Sequence, residues 1–213
     1  MRRGTVHLAV YDTMSDWEVG YVAAYINSPE FQKEPGRFQI RTVGKSPDHI
    51  TSKGGLKILP DISLDMLSAS DSCMLIIPGG DIAASGGIAD FVVAAEQFLK
   101  TGIPVAAICG ATAALAQAGL LNDIPHTSNA KAFLETTGYK GAEYYREEPA
   151  VTAGNLITAS GVAPVEFALE IFRKLDLYTE RTLNSWKNLY KYQKAEGFFE
   201  LFAEQAEKGD HVS

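Results

Sequence analysis

Two hydrophobic patterns take turns along the chain: short continuous apolar runs, and longer segments with apolar residues at helical spacing. The continuous runs predict β-strands, and those without polar interruption predict strands buried on both faces. The predicted strands cover residues 5–11, 37–43, 73–77 and 105–108, with hairpins over residues 49–59 and 150–158. The predicted helices cover residues 16–27, 87–101, 110–121, 128–137 and 164–175. Strands separated by helices of this length indicate a mostly parallel sheet with helices on both faces.

The domain organisation follows from where this alternation ends. Residues 1–177 form the predicted α/β domain, a three-layer sandwich. Residues 178–213 are helical in pattern and rich in aromatic side chains, and Gly197 is expected to divide them into two helices. We expect this extension to pack on the same domain, because aromatic stripes at helical spacing are usually core. A dimer contact or a cover over the functional site is the alternative.

Composition and charge exclude several classes of partner. The 213 residues carry a net charge of −7, and an acidic surface repels nucleic-acid phosphates and anionic membranes. No apolar run approaches the roughly 20 residues that a membrane helix needs, and the first apolar stretch is too short for a secretory signal. We therefore expect a cytoplasmic protein with no nucleic-acid or membrane partner. Cys73 and Cys109 are then expected to stay reduced, and their spacing predicts no metal site.

Cys109 is the leading candidate for chemistry. It lies where the apolar strand 105–108 runs directly into an Ala-rich helix, with Ala107 and Ala111 two positions away on either side. A nucleophile elbow requires small residues there, because larger side chains would collide in so sharp a turn. The helix N-terminus is expected to favour the thiolate and lower the thiol pKa. The alternative, a buried structural cysteine, suits Cys73 better because Cys73 belongs to an apolar strand.

The second candidate is the Pro-Gly-Gly-Asp segment at residues 78–81, which ends a buried strand. In open α/β sheets ligands bind at this edge. The backbone N–H groups of Gly80 and Gly110 would together form an oxyanion hole, although an ordinary turn explains the same sequence. Phosphate binding is disfavoured because no Gly-Lys-Ser/Thr follows and no Gly-x-Gly-x-x-Gly occurs.

Two acids and one histidine are candidate partners of the thiol. Asp16 and Glu18 open the first helix, where carboxylates usually serve the helix dipole, but that turn lies at the same sheet edge. His126 follows Cys109 after one helix and a turn, so it can return beside the sulfur as a base. A capping or surface role before the next helix, for which Ser128 is the expected N-cap, is equally compatible with the spacing.

Four ordered segments together resemble the PfpI family, which includes intracellular proteases and the parkinsonism-associated deglycase within the class I glutamine amidotransferase-like superfamily. They are LIIPGG at 75–80, AICGA at 107–111, NLITASG at 155–161 and VEFALEI at 165–171. The resemblance spans residues 5–177 and implies a flavodoxin-like sandwich, usually dimeric, with an elbow cysteine. It implies that Cys109 is the nucleophile and that Gly80 and Gly110 supply oxyanion N–H groups. We expect no cofactor.

The resemblance also assigns the partners of the thiol. Glu18 matches the acid that hydrogen-bonds the cysteine in the family, Asp16 is the possible alternative acid, and His126 matches the histidine after the elbow helix. Two departures narrow the chemistry. Gly110 stands where protease-type members have histidine after the cysteine, which weakens the peptidase interpretation. His126 is followed by Thr127 and not by the His-x-Glu pattern of glutaminases, so glutamine amidotransfer is not expected.

Three functional hypotheses remain. The first is a cysteine-dependent hydrolase, hydratase, lyase or deglycase acting on a small carbonyl, amide, isocyanide or related electrophile, assisted by Glu18 and His126. The second is a non-enzymatic stress or redox sensor, in which oxidised Cys109 is stabilised by protonated Glu18. The third is a degenerate binding module with a thiol of ordinary reactivity. We expect a homodimer in each case, on the family resemblance.

Overall fold

The structure, a computed structural model, describes residues 3–210. The last three residues of the predicted extension lie outside this range. The strands are β1 Gly4–Ala9, β2 Phe38–Gly44, β3 Ile50–Thr51, β4 Lys57–Ile58, β5 Ile62–Ser63, β6 Met74–Ile77, β7 Val105–Ile108, β8 Ala150–Ala153 and β9 Leu156–Ala159. The α-helices are α1 Gly20–Asn27, α2 Ala89–Lys100, α3 Gly110–Gln117, α4 Lys131–Glu135, α5 Pro164–Lys174, α6 Glu180–Tyr190 and α7 Ala195–Asp210.

Seven strands form one sheet in the order β5-β2-β1-β6-β7-β9-β8. All neighbours are parallel except β8, which runs antiparallel to β9, and β3 and β4 form a separate antiparallel hairpin. Helices α1 and α5 cover one face of the sheet, with α6 packed against α5, and α2 and α3 cover the other. This confirms the predicted flavodoxin-like α/β sandwich.

The central strands explain why the sheet is covered on both faces. Every residue of β6, β7 and β9 is buried. The uninterrupted apolar sequences of β6 and β7 predicted this burial, whereas β9 was expected only as one arm of a hairpin. Strands β1, β6, β7 and β9 are parallel, so their carboxyl ends meet at one edge of the sheet. The chain reverses its winding direction between β1 and β6, and this is the position at which open α/β sheets bind ligands.

The structure corrects two predicted helices near this edge. The helix expected over residues 16–27 begins with a separate 3-10 turn, Asp16–Glu18, before α1. The helix expected over residues 128–137 is only α4, and its N-cap is Ala130. Ser128 does not cap it because its hydroxyl is hydrogen-bonded to the Thr112 hydroxyl at 2.6 Å.

The C-terminal helices pack on the α1 side of the sandwich. Trp186 of α6 is almost fully buried, and its ring contacts those of Tyr25 and Phe172 edge-on. The predicted break at Gly197 is wrong, since the chain turns between α6 and α7 and Gly197 lies inside α7. A side chain at Gly197 would collide with the backbone of Ser185, so the glycine lets the two helices approach closely.

Candidate active site

The residues around Cys109 come from loops that follow the carboxyl ends of four adjacent parallel strands. The turn bearing Glu18 follows β1, Gly79 and Gly80 follow β6, Cys109 follows β7, and Gly161 follows β9. Because β6 and β9 flank β7, the glycines of these two loops stand on opposite sides of Cys109. The site is therefore a product of the sheet order as much as of the local sequence.

Cys109 has the backbone conformation of a nucleophile elbow. Its φ of 58° and ψ of −126° lie in a region that non-glycine residues rarely occupy, at a cost of about 1–3 kcal/mol. The two small neighbours that the sequence pointed to, Ala107 and Ala111, are fully buried beside the turn. The thiol itself is half-buried, and the strained turn directs it away from the strand and toward the sheet edge.

Glu18 is the acid that approaches the thiol. Its side chain is fully buried, and one carboxyl oxygen accepts a 2.6 Å hydrogen bond from the backbone N–H of Gly79. The other oxygen, Oε1, has no hydrogen-bond partner among the described residues. Oε1 and the Cys109 sulfur lie 3.2 and 2.7 Å from the point where a Cβ on Gly161 would be, so they face each other across this glycine.

Glu18 and Cys109 shift each other's titration. Burial raises the pKa of Glu18 to about 7, against the opposing effect of the hydrogen bond from Gly79. Burial and then the negative charge of Glu18 raise the pKa of the Cys109 thiol. Hydrogen bonds from Asn129 and Gly110 oppose this rise without reversing it. The lowered thiol pKa expected from the helix N-terminus alone is therefore corrected: burial and the neighbouring acid outweigh the dipole.

Asp16, the alternative acid, turns away from the thiol. Its carboxylate accepts a 2.6 Å hydrogen bond from the backbone N–H of Gly54, at the tip of the β3–β4 hairpin. The ideal Cβ position of Gly54 lies only 2.8 Å from the same carboxylate, so hairpin and turn are in tight contact. Asp16 fixes the hairpin against the turn that carries Glu18, and only Glu18 reaches the sulfur.

The loop that bears Gly80, one predicted oxyanion donor, packs against Gly110, the other: the Gly80 carbonyl oxygen lies 3.4 Å from the ideal Cβ position of Gly110. The N–H of Gly110, at the start of α3, is directed at the Cys109 sulfur and favours its ionised form. The N–H of Gly80 donates to no acceptor within residues 3–210. Gly79 packs so closely behind them that its ideal Cβ position is 2.7 Å from Cys109 Cβ and 2.9 Å from Gly110 N. Glycine is thus required at 79 by close approach.

His126 is buried but is not brought to Cys109. Its Nδ1 faces the carbonyl of Ile124 at 2.8 Å, and its Nε2 faces the Tyr139 hydroxyl at 3.2 Å. Its backbone pairs with the segment around Tyr145. Burial lowers the pKa of the ring. The predicted cysteine–histidine contact does not form because both ring nitrogens have partners within this segment.

Asn129, which is not among the predicted site residues, occupies the place expected for His126. Its Nδ2 donates to the Cys109 sulfur at 3.3 Å, and its Oδ1 accepts from the N–H of Gly161 at 2.8 Å. The carbonyl of Gly161 in turn accepts from Trp17 Nε1 at 3.1 Å. These contacts depend on the order of the strands: the strand that ends at Ala159 lies beside the strand that precedes Cys109, which places Gly161 next to the thiol.

Two further searches cover the described part of the chain. Between residues 3 and 210, no group of three or more His, Cys, Asp or Glu side chains is arranged to hold a metal ion. Nor does that part of the chain contain a helix long and apolar enough to cross a membrane.

The sequence matches one protein-family model and several known proteins. The family model described as the DJ-1/PfpI family matches residues 4–174. A Bacillus subtilis protein, the uncharacterised protease YoaZ, is 44% identical over 204 residues, which are 94% of this chain and 97% of that protein. The glutathione-independent glyoxalase DJR-1.2 of Caenorhabditis elegans is 28% identical over 66% of this chain and 75% of that protein.

Solved structures of proteins of the same family have the same fold as this chain. The crystal structure of the thiJ/pfpI family protein from Bacillus anthracis superposes with a TM-score of 0.88 and 44% identity. The superposition covers 95% of this chain and 97% of that one. It therefore includes both the α/β sandwich and most of the C-terminal extension.

Proposed function

The chain belongs to the DJ-1/PfpI family, and on that premise we propose that it is an enzyme in which Cys109 attacks a small electrophile. The substrate class is a small carbonyl, amide or related compound, and the chemistry is of hydrolase, hydratase or deglycase type. One observation carries the proposal: a strained elbow holds the Cys109 sulfur near a buried acid, Glu18, and within hydrogen-bond distance of the Asn129 amide. Strain of this kind persists where the surrounding structure enforces it, and it concentrates at active sites.

The first chemical step is the addition of sulfur to carbon. The thiol proton passes to the Glu18 carboxylate as the sulfur–carbon bond forms, and the carbonyl π pair moves onto oxygen. The N–H groups of Gly80 and Gly110 stabilise the resulting oxyanion. A carboxyl with a pKa of about 7 is well matched to accept this proton and return it near neutral pH.

Asn129 assists the thiol in the place predicted for His126. Its amide donates to the sulfur and stabilises negative charge there, and it holds Gly161 in place. His126 has no path to the thiol through its own ring nitrogens, so we propose that it orders the segment carrying Asn129. Both residues act through position, and Glu18 alone moves the proton.

The relatives suggest which electrophiles to try. DJR-1.2 is named a glyoxalase, so α-oxoaldehydes belong in the substrate panel beside simple amides and isocyanides. The Bacillus relative YoaZ is named a protease, but Gly110 follows the cysteine here where protease-type members have histidine. We therefore place peptide bonds last.

The test compares wild type with Cys109→Ser on this panel. We expect turnover of at least one small electrophile by wild type and a loss of about 1000-fold or more in the variant, because serine is a far weaker nucleophile without a strong base. The matched control is Cys73→Ser, which removes the other thiol and leaves the site intact. Equal turnover by wild type and Cys109→Ser would refute a mechanism centred on Cys109.

A redox sensor is the second candidate, and the same carboxyl supports it. With a pKa of about 7, Glu18 is protonated in about half of the molecules at neutral pH, and this protonated form can donate a hydrogen bond to a sulfinate formed on Cys109 by two successive oxidations with peroxide. Mild peroxide should then modify Cys109 before Cys73, as read by peptide mass spectrometry. Equal modification of both thiols, or faster modification of Cys73, would argue against the sensor.

A further inference from the structure

Trp17 is a large apolar side chain that stays in solvent beside the thiol. Its side chain is 51% exposed, although the next residue, Glu18, is fully buried. Both belong to the 3-10 turn Asp16–Glu18. A tryptophan at this position leaves considerable apolar surface in water, where it can contact a ligand held at the thiol.

One hydrogen bond ties the indole ring of Trp17 to the loop that follows β9. Its Nε1 donates a 3.1 Å hydrogen bond to the carbonyl of Gly161. The same glycine touches the Cys109 sulfur so closely that a Cβ there would stand 2.7 Å from it. Asn129 holds the other side of Gly161 through its N–H. One glycine therefore separates a rigid aromatic surface from the thiol.

The surroundings of the thiol differ on its two sides. On the β6 side is the Gly79–Gly80 loop, which packs against Cys109 and the backbone N of Gly110 and would, with Gly110, receive a substrate oxygen. On the β9 side are Trp17 and Val162, whose side chain is 92% exposed and follows directly after the bonded carbonyl. A substrate whose carbonyl oxygen lies on the polar side would direct its substituent toward the apolar side.

We propose that Trp17 determines specificity, by providing a flat surface for an aromatic or similarly planar apolar substituent on the electrophile. This inference rests on the proposed function, since it needs Cys109 to be the reacting group. It adds the substrate class: carbonyl compounds that carry an aryl or flat apolar group next to the reacting carbon. Stacking of this kind on an aromatic ring is worth about 3- to 10-fold in affinity.

The test uses two alkylating probes, N-benzyl-2-chloroacetamide and N-methyl-2-chloroacetamide. In both, the sulfur–carbon bond forms as the carbon–chlorine bond breaks, chloride leaves with the electron pair, and the thiol proton passes to solvent. Peptide mass spectrometry follows the rate at Cys109 against probe concentration. The readout is the benzyl-to-methyl ratio of apparent second-order rates, after division by the same ratio for free cysteine, so that general changes in thiol reactivity cancel.

We expect wild type to favour the benzyl probe about 3- to 10-fold through tighter binding, and Trp17→Ala to lose that preference. Trp17→Phe keeps a ring without the N–H, so it should retain most of it, which separates stacking from the hydrogen bond to Gly161. The control Phe199→Ala removes another exposed aromatic, on α7, and should leave the ratio unchanged.

The possible outcomes distinguish a failure of the role proposed for Trp17 from a failure of the function proposed for Cys109. A wild-type ratio near that of free cysteine, or a preference that survives Trp17→Ala, would overturn the role of Trp17 while Cys109 remains reactive. Failure of Cys109 to react with either probe, under conditions in which Cys73 reacts, would overturn the proposed function and this inference with it.

Discussion

Glu18 accepts a 2.6 Å hydrogen bond from the backbone N–H of Gly79 although its side chain is fully buried. A single hydrogen bond does not compensate a buried carboxylate for the loss of water, which is why its pKa rises to about 7. The raised pKa of Glu18 should therefore make the free energy of unfolding depend on pH.

The stability of wild type should fall relative to Glu18→Gln as pH rises from about 4 to 8. The folded state holds the Glu18 proton up to a pKa of about 7, whereas the unfolded chain releases it near 4.5, so stability from this group is lost across that interval. The difference between the two proteins should change by about 3 kcal/mol. Urea unfolding of both proteins at several pH values measures it, and parallel curves would contradict the shift.

Gly161→Ala should disturb both folding and the thiol. The new Cβ would stand 2.7 Å from the Cys109 sulfur and 2.8 Å from its Cβ, in a site without room to yield. We expect a loss of about 1–3 kcal/mol in unfolding free energy. Gly20→Ala is the matched control, because nothing lies within 4 Å of its Cβ position and it belongs to α1. A loss in Gly20→Ala as large as that in Gly161→Ala would show that crowding is not the cause.

Asn129→Asp should slow alkylation of Cys109 by iodoacetamide. The substitution replaces a donor to the sulfur with a negative charge, so the already raised pKa of the thiol rises further and less thiolate is present at pH 7. We expect the rate to fall by about 10-fold, and Asn129→Ala to fall less. Cys73 in the same protein serves as the internal control. An unchanged ratio of the two labelling rates would exclude Asn129 from the site.

Trp186→Ala should destabilise the whole domain. The indole is almost fully buried between α6 and the α1 side of the sandwich, so its removal leaves a large cavity and should cost about 3–5 kcal/mol. Phe199→Ala, on the exposed surface of α7, should stay within about 0.5 kcal/mol of wild type. A separate, earlier transition for the last two helices in thermal unfolding would contradict their integration into one unit.

The domain boundary at residue 177 and the homodimer remain predictions.

Much of the fold could be predicted because its signals are local. Continuous apolar runs identified the buried strands, and the Ile-Cys-Gly-Ala sequence identified the elbow at Cys109. The two-residue strand β5 was missed because so short an edge strand has no pattern of its own. Gly197 was misjudged because helix breaking was weighed and close helix packing was not.

The parts of the site that could be predicted are those that depend on residues close together in the sequence. Glu18 and Asp16 differ by two positions, and only the turn geometry decides that Glu18 is buried and Asp16 binds Gly54. Asn129 and Gly161 come from loops far apart in the chain, and the order of strands β7 and β9 brings them together. Likewise, the effect of a buried acid on the thiol pKa cannot be read from a helix N-terminus alone.

The most direct test of the account is a pre-steady-state reaction with 4-nitrophenyl acetate. Attack by the thiolate on the ester carbonyl forms a thioester and releases nitrophenolate, using the same sulfur and the same N–H groups as the proposed reaction. We expect a burst of about one nitrophenolate per chain, with the acetyl group on Cys109, and loss of the burst in Cys109→Ala. A burst that persists in this variant, or acetylation of Cys73 at the same rate as Cys109, would contradict the central claim.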